Sequence, residues 1–258
     1  MNTASLEMCL EAGFKELKMP GAARAYRALI REAQQSGQDY GHFLALLLEQ
    51  ELLNRRENRL KQLVREARFP EVKTLDAFDF TAQPSIPRPK VLSLSQGEFL
   101  NQGESVICIG PPGTGKTHLA CALGMCGIHS GYRVRFVTVT ALANDLLAAR
   151  DDHTLTRVLR KWQGYSGVIL DELGFVPLSR EGAQVLFQFV ANRYDHRRSL
   201  IITTNLEFSC WTEVFHDPPM TAAMLDRLTH RCHLFEHQGE SYRFRESLKR
   251  KNTGNNLG

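Results

Sequence analysis

The stretch Gly110-Pro111-Pro112-Gly113-Thr114-Gly115-Lys116-Thr117 constrains this chain more than any other, because it meets the phosphate-loop pattern G-x-x-x-x-G-K-[ST] at every fixed position. Its glycines let the backbone turn N–H groups inward around a phosphate chain, in conformations that a Cβ atom disfavours. Lys116 would reach the β- and γ-phosphates, and the hydroxyl of Thr117 would hold Mg2+. The helix opening there would aim its positive end at the anion. Both flanks suit the pattern. Ser105-Val106-Ile107-Cys108-Ile109 is an apolar run of strand character, and Leu119, Ala120, Ala122 and Leu123 continue as a helix.

With 258 residues the chain has room for one nucleotide-binding domain of ordinary size and a small accessory domain. Its hydrophobic fraction of 43% is that of a soluble globular protein. No apolar run is long enough to span a membrane, and Met1-Asn2-Thr3-Ala4-Ser5-Leu6-Glu7 lacks the basic-then-apolar order of a secretory signal. The expectation is a cytoplasmic protein with no membrane partner. The cysteines at 9, 108, 121, 126, 210 and 232 form no C-x-x-C pair and have no histidines at zinc-finger spacing, so they read as reduced and mostly buried. A net charge of +4 does not by itself imply nucleic acid. Arg243, Arg245, Lys249, Arg250 and Lys251 form either a phosphate-facing surface or a solvated tail.

Two parts follow from the pattern. Between Leu6 and Arg68 the sequence is helical in character, with Phe43, Leu47, Leu53, Leu60 and Val64 near helical spacing. Met19-Pro20-Gly21 and Ser36-Gly37-Gln38-Asp39 divide it into roughly three helices. Residues 1–71 are therefore expected to form a helical domain for oligomerisation or partner contact, without catalytic residues. Phe69-Pro70 ends it, and Pro84, Pro87 and Pro89 stiffen a linker over Thr81 to Lys90. Residues 72–258 hold the nucleotide-binding core. There Tyr132 to Thr140 alternates and is β-branched, predicting a second strand, and helical segments follow from Ala141 to Gly164. Strands alternating with helices predict an α/β class, a parallel sheet covered on both faces.

The second chemical signal is Val168-Ile169-Leu170-Asp171-Glu172, an aliphatic strand ending in adjacent acids. A carboxylate at the end of a buried strand needs positive charge nearby, and nucleotide-bound Mg2+ supplies it. Asp171 would hold the metal through its water shell, while Glu172 would orient and polarise a water for attack on the γ-phosphate. A small-molecule kinase needs no such second acid, so the pair favours hydrolysis over transfer. Ser199 to Asn205 is a further buried-type strand. Asn205 at its end is either a hydrogen-bonding partner for the attacking water and γ-phosphate or a turn-initiating residue. In the helical segment Met224 to Arg231, Arg227 either pairs within its own subunit or projects to a neighbour's γ-phosphate, with Arg231 as the alternative one turn later.

Together these residues make the chain resemble an AAA+ ATPase, a P-loop fold of three α-β-α layers around a parallel sheet. Phe69-Pro70 with Leu75-Asp76-Ala77-Phe78-Asp79-Phe80, and Ala223-Met224-Leu225-Asp226-Arg227-Leu228, resemble more narrowly the IstB-like helper ATPases of insertion sequences. That family is similar to the DnaC helicase loaders and the DnaA initiator clade. The resemblance implies ATP and Mg2+ as cofactors, a homo-oligomer with ATP at subunit interfaces, assembly on double-stranded DNA, and the transposase of the same element as partner. It implies DNA contacts from a helical insertion after the second core strand, where Arg150, Arg157, Arg160 and Lys161 lie, and such contacts would read phosphates rather than bases. It also implies that Phe78 to Phe80 border the adenine. One departure stands out: residues 232–258 are too few for a full C-terminal helical lid. A DnaC-like helicase loader remains the alternative, distinguished by what the N-terminal domain grips.

Overall fold

The computed structural model describes residues 3–242 and residue 244. Arg243, Arg245, Lys249, Arg250, Lys251 and most of the segment read as too short for a lid lie outside the described residues. The chain forms two compact units, Met1–Gln62 and Leu63–Gly258.

The first unit is built from α1 (Thr3–Glu16), α2 (Pro20–Ser36) and most of α3 (Tyr40–Ala67). The composition changes near residue 71, but the division between units falls inside α3. Ala22, Tyr26 and Leu47 form the buried centre, with Phe14 and Phe43 packed around them. Gly21 makes the close approach of α2 to α3 possible: a Cβ there would stand 2.8 Å from both the Asn54 Cβ and the Gln50 carbonyl oxygen. Met19 gives α2 no side-chain cap, and Pro20 occupies the first turn. Glu51 of α3 supplies the acceptor instead, taking hydrogen bonds from the N–H groups of Gly21 at 2.7 Å and Ala22 at 3.2 Å. Burial pushes the Glu51 carboxyl up, but Arg55 at 2.7 Å and these N–H groups together hold it below its ordinary value. Tyr40, Leu44, Leu48 and Leu52 recur every four residues and are exposed within this description.

The second unit centres on a parallel sheet of β1 (Ser105–Ile109), β2 (Val134–Thr138), β3 (Gly167–Leu173), β4 (Ser199–Thr204) and β5 (Cys232–Glu236), in the order β2-β3-β4-β1-β5. Around it run α4 (Arg88–Leu94), α5 (Glu98–Gln102), α6 (Lys116–His129), α7 (Val139–Asp151), α8 (Leu155–Gln163), α9 (Arg180–Asp195), α10 (Trp211–Phe215) and α11 (Pro218–Thr229). One face is covered by α6, whose Gly124 and Gly127 admit the side chains of Ile169 and Leu100. On the other face Leu142 and Leu146 of α7, Leu186 and Phe189 of α9, and Leu228 of α11 meet Val168, Leu170, Leu200 and Ile202. Helices on both faces explain the apolar runs Val168-Ile169-Leu170 in β3 and Leu200-Ile201-Ile202 in β4. The result is the three-layer α-β-α arrangement.

Local chemistry corrects two sequence expectations. The second strand stops at Thr138, because its hydroxyl accepts from the Ala141 N–H at 3.3 Å and caps α7. Val139 and Thr140, β-branched though they are, belong to that helix. The proline-rich stretch is likewise only partly linker. Pro87 is the N-cap of α4 and Pro89 sits in its first turn, where a missing N–H is harmless.

At the N-terminal edge of the sheet Arg193 is buried, with no carboxylate partner among the described residues. Its guanidinium donates to the carbonyls of Trp162, Tyr165, Ser166 and Ser199 at 2.8 to 3.2 Å. Burial, with Arg198 nearby, pushes it down to about 9. It ties the entries of β3 and β4 to the end of α8. No helix among the described residues is long and apolar enough to cross a membrane. All six cysteines are free; Cys108 and Cys121 are buried and pushed up to about 12 by burial, but Cys9 is exposed and the others half-buried, so "mostly buried" held for only part of the set.

Candidate nucleotide site

The loop after β1 leads directly into α6, the strand-loop-helix order that phosphate binding requires. Gly115, at φ +93°, is the N-cap of α6, and the Phe78 ring lies 3.2 Å from where a Cβ would be. Both constraints demand glycine. Lys116 turns back over the loop, its Nζ donating to the carbonyls of Gly110 and Pro111 at 2.7 Å each. Thr114 donates to the Pro111 carbonyl, also at 2.7 Å. A phosphate chain would offer Lys116 a charged acceptor in place of neutral carbonyls, and charge-assisted bonds are the stronger ones.

Parallel pairing brings β3 and β4 to the same edge. Asp171 is buried, and its Oδ1 accepts from the hydroxyls of Thr117 at 2.8 Å and Thr203 at 2.5 Å. Among the described residues no three His, Cys, Asp or Glu side chains converge. The oxygens of Thr117 and Asp171 instead fit a hard cation completed by phosphate oxygens and water, which is the habit of Mg2+.

Strand alternation alone would point Asp171 and Glu172 to opposite faces. A bulge changes this. Leu170 pairs with Ile202 and Leu173 with Thr204, so β3 advances three residues against two on β4. Glu172 takes φ +65°, a left-handed conformation uncommon for a residue with a Cβ, and its N–H donates to Thr203 Oγ1 at 3.0 Å. Its side chain is exposed beside the buried Asp171. Asn205 is exposed in the turn that follows β4, at this same edge.

Arg227 does not join this group. It lies on α11 with Nη1 donating to the Ala223 carbonyl at 2.8 Å and its guanidinium 5.3 Å from the Phe187 ring centre. With Arg197, Arg198 and Arg231 it lines a cavity of about 310 Å3 that also touches Gly103 and Ser105, at the entry of β1 rather than its exit. Arg157, Arg160 and Lys161 are exposed on α8, whose Leu155, Val158, Leu159 and Trp162 pack on the main core. Arg150, at the end of α7, pairs with Asp151.

Sequence reasoning gave no role to Thr203 or His237. Thr203 lies inside the predicted strand Ser199 to Asn205, and the change from aliphatic to hydroxyl side chains at Thr203-Thr204 was the available signal. His237 follows β5 and is 2% exposed. Its backbone N–H donates to the Ile109 carbonyl at 2.7 Å, and its Nδ1 lies 3.0 Å from the Thr114 carbonyl oxygen. Burial and the nearby Lys116 push the imidazole down to about 4, against the opposing pull of the Thr114 bond. Phe78 stands edge-on to His118 and His237, with ring centres 5.3 and 6.5 Å apart, and 4.9 Å from Phe80.

A sequence profile of the IstB-like ATP binding protein family matches residues 12–250. The ATP-binding protein of insertion sequence IS21 from Pseudomonas aeruginosa is 38% identical over 240 residues, covering 93% of this chain and 90% of that protein. The corresponding protein of IS5376 from Geobacillus stearothermophilus is 38% identical over 230 residues, covering 89% and 91%. Among solved structures, the DnaC helicase loader superposes with a TM-score of 0.51 at 21% identity, covering 58% of this chain and 87% of the loader. The replication initiator DnaA bound to AMPPCP and single-stranded DNA gives 0.53 at 20% identity, covering 71% and 56%. These likenesses to solved structures concern the fold alone.

Proposed function

This chain belongs to the IstB-like ATP-binding proteins of insertion sequences, and from that premise we propose that it is a Mg2+-dependent ATPase that assembles on double-stranded DNA and assists its element's transposase. The observation that carries the chemistry is the meeting of Thr117 and Asp171 beneath the lysine-bearing loop. Mg2+ held by Thr117 and Asp171 would supply positive charge against the charge that develops on the phosphates. Lys116 holds the β- and γ-phosphates, and Thr117 and Asp171 hold the ion and its waters. Glu172, turned outward by the bulge, orients the attacking water. Asn205 contacts that water or the γ-phosphate from the end of β4.

Arg227 lies at the far edge from its own phosphate loop, which supports a role toward a neighbouring subunit. A planar guanidinium delivered in this way stabilises transition-state charge and makes hydrolysis depend on assembly. Exposed Arg157, Arg160 and Lys161 contact DNA phosphates, so binding is nearly independent of base sequence and weakens with salt. ATP closes the array on DNA and hydrolysis releases it. The helices of residues 1–71 join subunits or hold the transposase.

The test is mass-resolved assembly of Glu172→Gln protein on a random-sequence duplex, with ATP, ADP or no nucleotide. Large complexes that need both ATP and duplex are expected. A protein that binds ATP, ignores the duplex and stays small would overturn the DNA-assembly reading and favour a helicase-loading adaptor. Restored hydrolysis on mixing Arg227→Ala with Glu172→Gln protein would place the arginine in trans.

A further inference from the structure

His237 carries an unexplained atom. Its Nδ1 faces a carbonyl, which can only accept, so Nδ1 bears the proton, and the neutral ring presents Nε2 as an acceptor. Nε2 is buried and has no hydrogen-bond partner among the described residues. A buried acceptor left unmatched is costly to the fold, so a ligand that supplies a donor gains by satisfying it.

Sheet order indicates which part of a nucleotide lies nearby. Thr117, Asp171 and Thr203 meet on the β3–β4 side of β1, where the metal and the γ-phosphate would be held, and His237 follows β5 on the opposite side. A nucleotide whose phosphates run toward β3 extends its sugar and base toward β5. There Phe78, Phe80 and His118 provide the ring faces and edges that suit a planar base. Donors on that part of ATP are the 6-amino group of adenine and the ribose hydroxyls, and only the amine distinguishes ATP from nucleotides with a 6-oxo base.

We infer that His237 is a specificity-determining residue of the nucleotide site, its Nε2 accepting a hydrogen bond from the 6-amino group of adenine while Nδ1–H holds the phosphate loop at Thr114. A 6-oxo base would set acceptor against acceptor and be rejected. The inference rests on the reading of the loop as an ATP site.

Titration calorimetry with ATP, ITP and 2′-deoxy-ATP tests it on the full chain and on two variants, with thermal unfolding followed in parallel. Gln can place an acceptor near the Nε2 position, and Asn can place a donor near Nδ1 while removing Nε2. The wild type should bind ATP about ten-fold or more above ITP, the discrimination expected when a buried polar group goes unpaired, and 2′-deoxy-ATP like ATP. His237→Asn should lose the preference, and His237→Gln should keep ATP affinity with a smaller preference, because its amide can turn to donate to a 6-oxo base. A purely loop-positioning role gives the reverse: His237→Asn keeps the preference and His237→Gln weakens all three ligands together. That result, or equal wild-type affinity for ATP and ITP, overturns the inference and leaves ATP binding intact. A penalty confined to 2′-deoxy-ATP moves the donor to the sugar and overturns the amine assignment. If no nucleotide binds, the ATP-site reading fails and the inference falls with it. Should His237→Asn not fold, the wild-type ratio of ATP to ITP decides.

Discussion

Each of the two units buries a carboxylate, and the two are satisfied differently. Glu51 in the helical unit is 3% exposed and accepts from two backbone N–H groups and from Arg55, donors held in place by helices. Asp171 in the sheet unit is 5% exposed and accepts from two hydroxyls, both on Oδ1. Its Oδ2 accepts from no described residue, and a hydroxyl can rotate toward another partner. A carboxylate serving structure is saturated by fixed donors. The one proposed to hold the metal is bound by donors that can let go.

Substitution should separate the two. Asp171→Asn is expected to lower ATP hydrolysis by about three orders of magnitude, or about 4 kcal/mol of transition-state stabilisation, without lowering Tm, since it removes a buried charge whose hydrogen-bond donors among the described residues are neutral hydroxyls. A falling Tm alongside lost turnover would break the contrast. The next effect concerns pH. His237 takes up a proton near its ordinary value when unfolded but only near 4 when folded, so its contribution to stability is complete above about pH 6.5 and lost as pH falls toward 4. The full loss is up to about 3 kcal/mol, and His237→Gln should flatten the decline of Tm over that window. Glu51→Ala should destabilise the helical unit by about 2 kcal/mol through the lost cap, with ATP affinity unchanged by calorimetry. The smallest effect belongs to Leu48→Lys: on an exposed helix position it should shift stability by less than about 0.5 kcal/mol. Loss of higher-order assembly in that variant, with nucleotide binding intact, would show the stripe to be a subunit contact.

The phosphate loop and the acid pair were legible because their chemistry demands particular residues at short spacing. Three helices before residue 68 were legible from helical spacing and from the turn residues that divide them. What escaped depends on pairing between distant segments. Thr203 meets Asp171 only because β3 and β4 run side by side, and His237 meets Thr114 only because β5 pairs with β1. Glu51 reads in sequence as one more solvated helix charge until Gly21 brings α2 against it. The end of β2 was misread because β-branching promotes strand, whereas the Thr138 hydroxyl ends the strand and starts α7.

The backbone at Glu172 sets two selective pressures against each other. Glycine would relax its left-handed conformation, and the strain relieved is of order 1 kcal/mol. The glutamate keeps the acid that the proposed reaction needs and bears that strain in every molecule, bound or free. Lineages that stop depending on hydrolysis should therefore drift toward glycine, or toward Asn and Asp, which tolerate the same conformation. Thermally selected libraries should enrich those residues at this position, and the survivors should be more stable by a few degrees and inert. Residue 172 would then record whether a related sequence still turns over its nucleotide.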